Sequence, residues 1–214
     1  KAQIWNPVTA ERMNLALQDN GQTSAADLHL EANESAFIVF SNEQETGLTD
    51  YSPTERETLL TIDTPWKVDF QKGMRGPDET YVMTELQTWD KNEDERIRYF
   101  SGTATYTNTF KLKKQPDQPV WIDLGRVMVM ARVYVNNQYA GGVWTSPYRL
   151  NIQHLLHKGT NTLRVEVVHN WQNRLIGDQK LPENERPTWT SVNPWRADSP
   201  LQESGLVGPV RLLQ

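Results

Sequence analysis

The chain has 214 residues and a mass of 24.7 kDa, the size of one medium domain or of a domain with a fragment beside it. A formal net charge of −5 and a pI of about 5.4 argue against nucleic acid as the main partner, because phosphate binding needs a net basic face. Apolar residues make up 37%, mean hydropathy is −0.68, and no apolar run approaches bilayer length, so no membrane insertion is expected.

The charge is unevenly spread. Residues 1–58 hold three basic residues (Lys1, Arg12 and Arg56) against ten acidic ones, a net of −7, which leaves +2 for the remainder. This shift points to two units. In the first, Met13, Leu15 and Leu17 alternate as on a half-buried strand, and Asn20-Gly21 signals a hairpin turn. Leu28 and Leu30 alternate next, and Ala36 to Phe40 is a continuous apolar run suited to a strand covered on both faces. Residues 1–41 are therefore expected to be the terminal strands of a preceding β-domain, too few to close a sandwich alone. Residues 42–58 offer little to bury and read as a linker, or as a strap crossing a surface.

Residues 59–214 are dense in period-two patterns. The sets Trp66/Val68/Phe70, Val120/Ile122/Leu124, Ala131/Val133/Val135 and Leu163/Val165/Val167 alternate with polar neighbours, as does the run 104–110. Turn signals separate them at 114–119, Asn136-Asn137 and 158–161. The expected class is all-β, an antiparallel β-sandwich or jelly roll. A short helical turn is expected within 150–156, ending before Gly159, and Asp90 to Arg98 reads as a solvated charged loop. From Asn170 to Ser204 no strand pattern appears. So long a connection is commonly functional, and Trp171, Trp189 and Trp195 within it argue for packing or binding rather than disorder.

The absence of Cys excludes disulfides, thiolate catalysis and iron–sulfur clusters. His154 and His157 stand three apart with no further ligand spacing, and no compact Asp/Asn run marks a Ca²⁺ site, so no cofactor or metal is expected. No basic-then-apolar start marks a signal peptide. Because the first residue is Lys1, the chain is expected to be processed or cut from a longer one.

From Tyr99 to Asn170 the features follow a recognisable order. Tyr99-Phe100-Ser101-Gly102 leads into a strand ending at Phe110, followed by Asp123-Leu124-Gly125 and Ala131 to Asn137. Then come Gly141-Gly142-Val143-Trp144, Pro147-Tyr148, and Gly159 to Val165. This order resembles the sugar-binding, jelly-roll domain of family 2 glycoside hydrolases, of the galactose-binding-like fold. The run Asn170 to Asp178, Leu181-Pro182 and the closing Ser204 to Val210 are similar to the C-terminal domain of bacterial α-L-rhamnosidases of the family 106 group. Ile4-Trp5-Asn6-Pro7 and Glu34 to Phe40 resemble strands that precede that domain. The resemblance implies a non-catalytic module with its catalytic domain upstream in the same chain, acting on plant or bacterial polysaccharide in the periplasm or outside a bacterial cell. Its implied partners are that domain and, weakly, carbohydrate.

The residues themselves leave three readings open. A sugar ring offers an apolar C–H face to an indole and hydroxyls to amides, carboxylates and guanidinium groups. Trp144, Tyr148, Trp171, Trp189 and Trp195 fall in or beside connections, with Asn173, Arg174 and Asp178 as polar partners; these are the candidate carbohydrate-binding residues. Alternatively, the same aromatics brace a neighbouring domain, a packing role expected of Trp66, Trp89 and Trp121. A third reading is a small independent carbohydrate-active enzyme. It would need two of the loop acids Asp178, Glu183, Glu185, Asp198 and Glu203 to meet across one glycosidic bond. No nucleotide-binding glycine motif and no G-x-S-x-G elbow is present, and no catalytic residue is assigned.

Overall fold

The computed structural model describes residues 1–42, 45–53 and 56–214. The chain divides into two compact units, Lys1–Glu57 and Thr58–Gln214. In the first, the strands are β1 (Ala2–Trp5), β2 (Arg12–Leu15), β3 (Gln18–Asp19), β4 (Ser24–Ala25) and β5 (Phe37–Phe40). They form the antiparallel sheet β2-β1-β5 and a small β3-β4 hairpin. The hairpin turns at Asn20-Gly21, where the Asn20 side chain accepts from the Gln22 and Thr23 amides and Gly21 takes a φ of +84°. Ala2, Ile4 and Leu15 make a small core of their own.

Two expectations fail in this unit. Leu28 and Leu30 form no strand and are exposed. β5 is not covered on both faces: Phe37 and Phe40 stand in solvent, and only Ile38 packs on the small core. The reason is sheet size, since β5 lies at the edge of three strands with one apolar cluster beneath it. Of the segment read as a linker, residues 43–44 and 54–55 lie outside the described residues. Asp50 bridges to Asn14, and the Tyr51 amide donates to the Asn14 carbonyl, so this stretch runs alongside β2.

The second unit holds β6 (Thr58–Thr61), β7 (Trp66–Phe70), β8 (Tyr81–Met83), β9 (Thr103–Leu112), β10 (Trp121–Asp123) and β11 (Arg126–Met128). These are followed by β12 (Met130–Val135), β13 (Gln138–Val143), β14 (Arg149–Asn151), β15 (Gly159–Val168), β16 (Gly205–Gly208) and β17 (Arg211–Leu213). A six-stranded sheet, β13-β12-β15-β9-β7-β8, faces a four-stranded one, β14-β10-β17-β6, with β11-β16 as a further pair. Neighbouring strands are antiparallel throughout. This is an all-β antiparallel sandwich, the class expected from the sequence.

Period two explains its core. Val133, Val165, Tyr106 and Val68 are register partners across four strands, and all are fully buried. Ile122 and Leu212 close on the core from the other sheet. Each aliphatic side chain buried this way contributes about 1.5–3 kcal/mol relative to exposure. The next register down faces outward, where the Arg164 guanidinium stacks 3.6 Å above the Tyr134 ring. Asn136 and Asn137 both take positive φ, 51° and 64°, as a tight hairpin with right-handed strand twist requires. Asn136 also ties the turn to the neighbouring connection, donating to the Leu155 carbonyl and the buried Asn161 side chain.

Among the described residues, helix is confined to α1 (Glu95–Arg98), α2 (Gln172–Asp178) and three single 3-10 turns. One of those turns, Gln153–Leu155, lies where a helical turn was expected. Asp90 to Arg98 is more than a solvated loop: Asp94 caps α1 by accepting from the Arg96 amide, and Ile97 is fully buried.

Candidate functional site

The long connection from Asn170 to Ser204 contains no strand, as its sequence indicates, but it opens with α2. Asn170 lies just before that helix, and its side chain accepts from the Gln172 amide. Gly177 lets it lie down on the sandwich: a Cβ there would stand 2.6 Å from the Tyr99 ring. At the far end, the Trp89 amide donates to the Ser204 carbonyl, and a Cβ on Gly205 would meet the Trp89 indole at 2.5 Å. Trp89 is itself fixed, fully buried, with its indole N–H donating to the Tyr106 hydroxyl at 2.6 Å. The two ends are clasped by Asn173, whose amide donates to the Gln202 carbonyl at 2.7 Å and accepts from the Gln202 amide at 2.8 Å. The connection is therefore an ordered loop anchored at both ends.

Between this loop and the β7–β8 connection lies a cleft of about 410 Å³. That volume falls in the range of roughly 300–1,000 Å³ typical of small-molecule sites. One wall is the turn Gly73-Met74-Arg75. Trp171, Arg174 and Leu175 of the α2 region and the run Pro187 to Thr190 complete the lining. Two indoles border it, Trp171 at 50% exposure and Trp189 at 85%, the most exposed large apolar side chain among those described. Arg174 is largely buried, with Nη1 3.7 Å from Asp178 Oδ1 and Nη2 without a hydrogen-bond partner. Burial pushes its pKa below the ordinary guanidinium range; Asp178 opposes the shift and nearby Arg75 adds to it.

The structure thus brings together three of the eight candidates, Trp171, Arg174 and Trp189, in one cleft. Asn173 and Asp178 face inward and are buried, the first in the loop clasp and the second beside Arg174. Trp144 is exposed after β13, and Tyr148 packs partly against the core; neither lines the cleft, and nor does the half-buried Trp195. Trp66 and Trp89 are core residues, in keeping with a packing role.

The β7–β8 wall escaped sequence reasoning. Its signal was a Lys72-Gly73-Met74-Arg75-Gly76 turn, with two glycines and two cations between strands of an acidic chain. Gly76 is required there, because a Cβ would meet Phe70 at 2.6 Å and the Phe100 ring at 2.9 Å. No acidic side chain lines the cleft. Glu203 pairs instead with Arg126, and Glu183, Glu185 and Asp198 are exposed outside it. The described residues contain no group of three His, Asp or Glu side chains that could hold a metal ion.

The model of the "Glycosyl hydrolase 2 galactose-binding domain-like" family matches residues 81–200, more than half of the chain. A solved rhamnosidase from Novosphingobium sp. PP1Y is 36% identical and superposes with a TM-score of 0.86, covering 99% of this chain and 20% of its own. A curated relative from Formosa agariphila, named "Putative beta-glucuronidase", is 36% identical over 60% of this chain and 13% of its own length. A β-glucuronidase structure from Ruminococcus gnavus, at 18% identity, TM-score 0.53 and 75% coverage of this chain, agrees in fold. The chain spans only 13–20% of the length of the first two relatives. Period-two sheets, a clasped aromatic loop and these matches lead to one conclusion: the chain belongs to the galactose-binding-like domains of the family 2 glycosyl hydrolases.

Proposed function

We propose that the chain serves as a non-catalytic carbohydrate-binding module of a larger glycoside hydrolase, with the cleft beside α2 as its sugar site. One observation carries this reading: two exposed indoles border a cleft that also holds two guanidinium groups and hydroxyl groups but no carboxylate. Indoles suit the apolar face of a pyranose, and Arg174, Thr188 and Thr190 suit its oxygens. A glycosidase needs an acid and a second carboxylate astride the bond, and this cleft supplies neither. The parent enzyme is taken to resemble an α-L-rhamnosidase, supported by the 36% identity to the Novosphingobium rhamnosidase. Its catalytic domain lies elsewhere in the same chain and is the module's second partner. A periplasmic or extracellular location follows from work on polysaccharide.

The test is a titration of the isolated chain with mono- and oligosaccharides, including rhamnose and galactose, read by tryptophan fluorescence. Affinity is expected at about 0.1–1 mM, because one or two stacking contacts leave little surplus over the cost of association. A quench abolished by Trp189→Ala supports the site.

A bracing role is the second reading, favoured by the exposure of Trp189 and Val192 on one limb of the loop. Exposed apolar side chains grouped this way are a surface another domain could cover. Under that reading no sugar binds, and the loop gains hydrogen-exchange protection only in the full-length enzyme.

A further inference from the structure

Resting on the sugar-site reading above, we infer that the cleft selects a sugar bearing an anionic oxyacid group, carboxylate or sulfate, over its neutral counterpart. The charged side chains lining the cleft are Arg75 and Arg174, both cations, in a chain whose net charge is −5. No carboxylate lines the cleft to neutralise them. Asp178 engages Arg174 from its own helix at 3.7 Å, too long for a hydrogen-bonded pair, and so offsets its charge only in part. A largely buried guanidinium whose carboxylate stands off at this distance is costly unless an anion approaches it. A neutral hydroxyl would leave the guanidinium uncompensated and the two arginines repelling each other. An anionic group answers both, since a guanidinium fork matches the paired oxygens of a carboxylate or sulfate.

Backbone geometry points the same way. Arg75 is exposed and holds a φ of +64°, a left-handed conformation uncommon for a side chain of its size. Such conformations persist where surrounding structure fixes them, and here the packing of Gly76 against Phe70 and Phe100 does so. Arg75 lines the same cleft as Trp171 and Trp189, so a cation for the anion and indoles for the ring that carries it share one site.

The experiment compares methyl glucuronide, glucose 6-sulfate and methyl glucoside at equal ionic strength, by tryptophan fluorescence and by NMR shifts of the indole N–H groups. The expected result is at least about tenfold tighter binding of one or both acidic sugars, weakening as salt is raised and falling to the neutral level in Arg75→Gln. Tighter glucuronide assigns a carboxylate, and tighter sulfate ester assigns a sulfate. Arg75 is the primary variant because it is exposed, whereas replacing the buried Arg174 also disturbs α2. Equal binding of all three sugars, abolished by Trp189→Ala, overturns the acidic preference and leaves the sugar site standing. No binding of any sugar overturns both.

Discussion

The β12-β15-β9 ribbon and the Asn170 to Ser204 loop are both ordered, yet they are held by opposite means. In the ribbon, mostly apolar side chains alternate into the core, with Asn108 and Asn161 as the buried polar exceptions, so backbone ladder and burial repeat with the same period. In the loop, polar groups turn inward: Asn173 and Asp178 are buried, and Arg174 nearly so. Its order rests on a few specific bonds, on the anchor at Trp89 and on glycines that permit close approach. The ribbon is a distributed structure that tolerates the loss of single contacts. The loop is a keyed one, in which few residues decide whether the cleft exists.

Trp89→Ala should be the most damaging change, because Trp89 ties the two regions together, its indole N–H donating to Tyr106 of β9 and its amide to the Ser204 carbonyl. Its ring packs against Phe70 and Phe100, while its backbone and indole hold Ser204 and Gly205. A loss of about 3–5 kcal/mol is expected in urea unfolding, together with loss of any cleft binding. Asn173→Ala should cost about 1–3 kcal/mol, because the Gln202 amide and carbonyl both lose their partner. Hydrogen exchange should show that opening confined to 170–204, with the ribbon amides still protected; uniform loss of protection would erase the distinction between the two regions. Gly177→Ala should also destabilise despite the better helix propensity of Ala, since its methyl meets the Tyr99 ring, and Tyr99→Leu should relieve the effect.

A pH effect sharpens the comparison at the junction. His169 follows β15, is buried edge-on against Trp89, and burial holds its imidazole below the ordinary value of 6.5 against smaller opposing effects of the Met128 backbone and Asp90. The unfolded chain then binds more protons than the folded one as pH falls. Stability from neutral His169 is therefore full above about pH 6.5 and declines as pH drops through that value toward the lower folded one. Urea midpoints at several pH values should show this acid limb, and His169→Gln should flatten it.

The contrast also explains what sequence could convey. The strands of the second unit were legible because Val133, Val165 and Ile122 advertise burial by hydrophobic alternation. The Asn136-Asn137 turn was legible because few residues tolerate two positive φ angles. α2 was not, since its inward residues are mostly polar and Gly177 weakens the helical signal. Trp171, Arg174 and Trp189 could be named as candidates by chemistry, but their meeting in one cleft depends on how the loop folds back. Arg75 was hidden because its wall comes from a connection almost a hundred residues earlier in the chain.

The smallest expected stability effect carries the largest functional one. Trp189 is 85% exposed, so Trp189→Ala should change stability by no more than about 0.5 kcal/mol. The most direct measurement is an NMR titration of the indole N–H signals, assigned by single Trp→Phe variants, with a panel of neutral and acidic sugars. The account predicts saturable shifts at Trp171 and Trp189, at about 0.1–1 mM ligand, while Trp66, Trp89 and Trp144 stay still. Shifts at Trp144 alone, or no shift with any sugar, would contradict it.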